Sequence, residues 1–166
     1  MQRLPTKFPP MLSQLQTLVR EVDGRYATDT ELLFLQNYLQ TARLRFSAYQ
    51  KIQKAEKDII RQVKQKLKAT NPKLLRRGKV DFSAKWQRDA VSGLRFCAHA
   101  LLVADEEGLE ENFLLWFQSV MRSFKAQQSC DITYKTMQDV VRQYLTPKEA
   151  ELFCPILAQA RLLLGQ

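Results

Sequence analysis

Apolar residues recur at three- and four-residue steps along most of this chain, and that spacing predicts a succession of amphipathic helices. Met11, Leu12, Leu15, Leu18, Val19 and Val22 form the first stripe, which Gly24 is placed to stop. Leu32, Leu33, Leu35, Tyr38, Leu39, Ala42, Phe46 and Tyr49 form a longer one, carried on by Ile52, Ala55, Ile59, Val63 and Leu67 until Asn71-Pro72 ends it. Trp86, Ala90, Gly93, Leu94, Cys97 and Leu101 mark one helix between Phe82 and Asp105. Leu109, Phe113, Leu114, Phe117, Val120, Met121 and Phe124 mark the next. Gln127 to Asp131 is expected as a connector, Ile132 to Leu145 as a shorter helix, and a last helix opens at Thr146-Pro147, with Leu152, Phe153, Ile156, Leu157, Ala160 and Leu164 on its buried side and a kink at Pro155. Two T-x-x-E boxes, Thr28 with Glu31 and Thr146 with Glu149, announce helix starts: the hydroxyl takes a free N–H and the carboxylate reaches back to the cap.

Five glycines and six prolines in 166 residues leave few turns, which favours an all-α domain over a sandwich or barrel. Pro5, Pro9 and Pro10 make an irregular lead-in of the start. It lacks the apolar core of a signal peptide, and no apolar run approaches the roughly 20 residues of a membrane span. A soluble, cytoplasmic protein is therefore expected. Cys97, Cys130 and Cys154, odd in number and without paired spacing, suit reduced thiols better than disulfides or a zinc site.

The formal charge is +9. Eleven Lys/Arg against Glu56 and Asp58 between Lys51 and Lys79 account for all of it. Lys54, Lys57, Arg61, Lys64, Lys68, Arg76 and Arg77 are the candidate docking patch for an acidic partner, against the plainer alternative of a solvated face. Nucleic acid is disfavoured, since no aromatics are interleaved with the lysines. No glycine-rich phosphate loop, metal-ligand spacing or nucleophile-base arrangement supports catalysis.

The stretch Lys85, Arg88, Asp89, Leu94, Arg95, Ala100, Leu101 resembles the central helix motif of the phycobiliproteins, the globin-like light-harvesting subunits of the phycobilisome in cyanobacteria and red algae. Asp23 to Leu32 is similar to the family's linker into its first long helix. The resemblance, specific over about Asp23 to Phe124, implies a globin-like domain; with the residue pattern it divides 1–166 into a lead-in over 1–10, an N-terminal helical extension over 11–30, a core over 31–145, and a C-terminal helix over 146–166 that is expected as an addition to the family pattern. It places a bend within residues 32–67. It also departs from the family at one point. Trp86 stands where the family has the cysteine that holds a linear tetrapyrrole, and an indole has no nucleophile for a thioether.

By the same resemblance, Asp89 would accept from pyrrole N–H groups while Arg88 and Lys85 pair with propionates, making Lys85, Trp86, Arg88 and Asp89 the candidate non-covalent bilin site. Packing alone is the competing explanation for Trp86. Glu21, Asp23, Arg25 and Arg95 are implied as subunit-interface residues, with a Glu21–Arg95 bridge between chains of a homo- or heterodimer. His99 stands where the family usually has tyrosine and is read as bonded within the fold rather than as a haem ligand. The implied role is accessory and non-catalytic: contacts with phycobilisome subunits, or with proteins that make or attach bilins, in a cyanobacterial cytoplasm at the thylakoid surface. The alternative is a carrier or sensor that holds a bilin without a covalent bond.

Overall fold

A computed structural model describes residues 10–77 and 79–166, with the backbone alone at Arg77. The lead-in expected over residues 1–10 falls outside them apart from Pro10. The architecture is all-α and globin-like, as the periodicity and the resemblance indicated.

Helix α1 (Met11–Glu21) is followed by a turn in which Gly24 takes a φ of 71°, a conformation that glycine adopts without strain. Helix α2 (Asp29–Thr70) is 42 residues long and starts at its predicted box: the Glu31 N–H donates to Thr28 Oγ1 at 3.3 Å and the Thr28 N–H to Glu31 Oε2 at 2.8 Å. The bend expected within residues 32–67 is absent. No glycine or proline interrupts the i→i+4 ladder between Asp29 and Thr70, so nothing forces a break.

After a 3₁₀ turn (Pro72–Leu75) come two strands, β1 (Arg76–Arg77) and β2 (Val80–Asp81), paired antiparallel. Helix α3 (Ser83–Val103) ends where Ala104 turns left-handed at φ 52°. Helices α4 (Glu106–Leu109) and α5 (Leu115–Ser123) are joined by one π turn, Glu110–Leu114.

Helix α6 spans Gln127–Val141, which corrects both the connector at Gln127–Asp131 and the helix at Ile132–Leu145. Lys125 adopts φ 50°, its N–H reaches Arg122 O, and the Ala126 N–H reaches Met121 O. The reversal is finished by residue 126. The polar run from Gln127 is thus free to be helical rather than a loop. Helix α7 (Pro147–Leu164) begins at the second predicted box and continues past Pro155.

The core lies where α2, α3, α6 and α7 pack on one another, from Ala48 on α2 to Leu164. The whole of α1 and the part of α2 before Ala48 contribute no buried residue to it. Leu12, Leu15, Val19, Leu33, Leu39 and Phe46 are exposed there, Val19 at 73%. One carboxylate ties α7 to α2. Glu149, 2% exposed, accepts from Ser47 Oγ and from Lys51 Nζ, each at 2.7 Å, while also serving its own capping box.

Candidate functional site

Helical spacing sets Lys85 beside Asp89 and Trp86 beside Ala90, each pair four residues apart on α3, and all four line a cavity of about 480 Å³. Phe117 and Met121 of α5, Phe124, and Cys130, Thr133 and Tyr134 of α6 form the opposite wall, with Lys73, Leu74 and Phe82 beside α3.

Trp86 is 9% exposed, and its indole N–H donates to Thr133 Oγ1 at 2.9 Å. A group with packing on its faces and a satisfied N–H is a fixed wall. The Lys85 ammonium lies 3.3 Å from the centre of the Phe124 ring, a cation–π contact across the cavity. Burial raises the Asp89 carboxyl above its ordinary value, against the lowering effect of Lys85 and Arg88. Burial also pushes the Cys130 thiol up to about 12, with Asp89 adding to the rise. A thiol in that state is a poor nucleophile at neutral pH.

Arg88 does not join its three neighbours. It is exposed and absent from the wall, because a residue two positions from Trp86 points about 200° away around the helix. Cys130, Thr133, Tyr134 and the α5 residues are in the wall but were not singled out as site residues. They come from distant segments, and no local pattern marks them.

Tyr134 is 2% exposed, and its hydroxyl has no hydrogen-bond partner among the described residues. That oxygen sits over Gly93, where an added Cβ would collide with it. Gly93→Ala is therefore expected to destabilise the fold by roughly 1–3 kcal/mol through overpacking, read as a lower urea midpoint at unchanged slope.

Of the implied interface residues, Arg25 binds Glu31 at 2.7 Å, and Glu21 and Asp23 are exposed. Arg95 has a partner in its own chain, donating to both carboxylate oxygens of Glu56 at 2.7 Å. His99 Nε2 lies 3.3 Å from the Tyr49 hydroxyl. In the basic patch Lys54, Lys57, Arg61 and Lys68 are exposed along one side of α2. Arg61 is paired with Asp58, and Lys64 donates to Gln87 of α3. Arg76 is exposed on β1, and the Arg77 side chain lies outside the described residues. No cluster of metal-ligating side chains and no helix long and apolar enough to cross a membrane occurs among the described residues.

A family model described as phycobilisome protein matches residues 18–161. The match takes in most of α7, and so extends beyond the stretch over which the motifs are legible. No curated protein matches the chain.

Proposed function

Since the chain belongs to the phycobilisome protein family, we propose that it is a phycobiliprotein-like accessory member that carries no thioether-linked pigment at the central helix. It acts by protein contacts, in assembly or turnover of the phycobilisome or in bilin supply, with no bond made or broken. The observation that carries this is the apolar surface of α1 and the start of α2, left uncovered by the chain's own core. Exposed aliphatic groups on that scale suit burial against another protein. The basic side of α2 would add electrostatic steering toward acidic phycobilisome subunits.

Salt separates the two contributions. Affinity for an acidic phycobilisome subunit is expected to fall by about tenfold or more between low and high ionic strength. Reversing Lys57 and Lys68 to glutamate should remove most of that dependence. An affinity indifferent to salt would take the basic side out of the mechanism and leave the apolar arm.

The cavity favours a second role, a bilin held without a covalent bond. Its volume falls in the range of small-molecule sites, roughly 300–1,000 Å³. Asp89 and Lys85 supply an acceptor and a cation, and Trp86 a flat wall. A bilin bound there would supply light absorption, and denaturation would release it. Phycocyanobilin mixed with the protein is expected to shift its absorption to the red, and Asp89→Ala to abolish the shift. An unchanged spectrum would leave the docking role alone.

A further inference from the structure

We propose that one exposed side of α2 is a docking surface for an anionic lipid bilayer, on which the helix lies in the plane of the membrane. This goes beyond the protein-docking role and does not depend on the cavity.

From Leu39 to Lys68, steps of three and four residues trace a single stripe along α2. Arg43, Lys54, Lys57, Arg61, Lys64 and Lys68 supply its charge, Leu39 and Phe46 its apolar groups, and Gln50 the remaining position. No carboxylate lies on it. All of these residues are exposed except Lys64, which is half-buried and donates to Gln87. Arg61 is paired with Asp58 at the edge of the stripe. Ala48, Ile52, Ile59 and Val63 turn the opposite side of the helix into the core. Because α2 is unbroken the stripe is straight, roughly 44 Å at about 1.5 Å per residue. At its far end the hairpin of β1 and β2 adds Arg76, Lys79 and Val80, all exposed. The Asp81 carboxyl of that hairpin is held below its usual range by Ser83 first, and further by Arg76 and Lys68, which sets the hairpin beside the end of the stripe.

Charge of this sign attracts acidic proteins, nucleic acids and anionic lipids, and the residues favour lipid. Protein interfaces are built round buried aromatic and aliphatic anchors and are poor in lysine. Between Lys54 and Lys68 no large apolar side chain is exposed, and the cations there are lysines apart from Arg61. Single-stranded nucleic acid needs aromatic platforms between the cations, and the stripe has none there. An anionic leaflet needs only a run of cations near its plane and apolar groups that enter the headgroup layer. Leu39, 61% exposed, and Phe46, 54% exposed, stand in line for that entry. The lysine stems can lie on the apolar boundary while their ammonium groups stay among the headgroups. Leu33, about 120° around the helix from Leu39, and the apolar side of α1 remain available to a protein. Steering of acidic subunits by the same charge acts at a distance and does not require the stripe to be the contact. The membrane contact is peripheral, since no helix among the described residues is long and apolar enough to cross a bilayer.

The test sediments the full chain with vesicles of phosphatidylcholine, alone or mixed with phosphatidylglycerol. Binding is expected to be at least about tenfold tighter on the anionic vesicles and to weaken as salt rises. Lys57→Glu with Lys68→Glu should abolish the preference. Lys135→Glu with Lys148→Glu makes the same change in net charge on α6 and α7, and should leave the preference within about twofold of native. Leu39→Ser with Phe46→Ser should weaken binding several-fold while the preference persists. Equal binding of the native chain to both kinds of vesicle, or binding to neither, overturns the proposal, and this comparison needs no variant to fold. An equal loss in the two charge-reversed chains also overturns it, by tracing the preference to net charge. Binding untouched by the Leu39 and Phe46 substitutions overturns the in-plane placement of the helix. Charge reversal at Lys57 and Lys68 that spares vesicle binding but abolishes affinity for an acidic phycobilisome subunit assigns the stripe to protein docking instead.

Discussion

Trp86→Ala is expected to lower the unfolding free energy by roughly 3–5 kcal/mol, the range for removing a buried indole. At this chain length that is a fall in melting temperature on the order of 10 °C. The hydrogen bond to Thr133 accounts for only about 0.5–1.5 kcal/mol of it. Packing therefore dominates, and Thr133→Val should reproduce only the smaller part. Thermal melts of the two variants side by side check this. A loss below about 1 kcal/mol for Trp86→Ala would mean that the indole is not packed as the 9% exposure indicates.

Replacing Glu149 should cost a similar amount and make stability depend on acid. Burial alone would raise its carboxyl, but the bonds from Lys51, Ser47 and Thr146 hold it down at about 2. The unfolded value is near 4.5. A folded value below the unfolded one means that the stabilisation is fully present above about pH 5 and is lost as pH falls toward 2. The difference corresponds to about 3 kcal/mol. Glu149→Ala should thus unfold at lower urea at pH 7, by about 3 kcal/mol, and converge on the native chain near pH 2. Glu149→Gln keeps the cap and loses the ion pair, so an intermediate value is expected. Urea titrations at pH 7 and pH 3 distinguish the three chains. Glu31 is held down to about 2 as well, first by Arg25 and then by Thr28, so some acid sensitivity will persist in any Glu149 variant.

What could be read from residues alone follows the range of the interactions. Periodicity and the two T-x-x-E boxes are local, and both boxes appear with their reciprocal bonds in place. Three features were missed for different reasons. The break imagined in α2 came from the family resemblance, although the run without glycine or proline argued against it. The start of α6 depends on the left-handed turn at Lys125, a residue type that gives no warning of positive φ. The pairing of Arg76 with Asp81 and Arg77 with Val80 is too short to leave a period-two pattern.

The site divides in the same way. Lys85, Trp86 and Asp89 were legible because one helix carries them at neighbouring positions. The angular step around that helix could also have excluded Arg88 in advance. Nothing short of the packed arrangement could bring Phe117, Cys130 and Tyr134 opposite them. Arg95 teaches the converse: its Glu56 partner lies on α2, 39 residues away in the chain.

The unbroken α2 has a mechanical consequence. The Tyr38 hydroxyl donates to Leu102 O at 2.9 Å and Arg45 to Leu101 O at 2.8 Å, which moors α2 to the end of α3. At about 1.5 Å per residue, only the portion ahead of Tyr38 extends past the mooring, as a stiff lever roughly 14 Å long. A tilt of about 10° at its base would sweep the tip through roughly 2 Å, whereas a jointed arm would absorb such a movement at the joint. Whatever grips the tip is thereby held at a fixed bearing to the cavity. Strain applied at one end would be felt at the other with little lost between them.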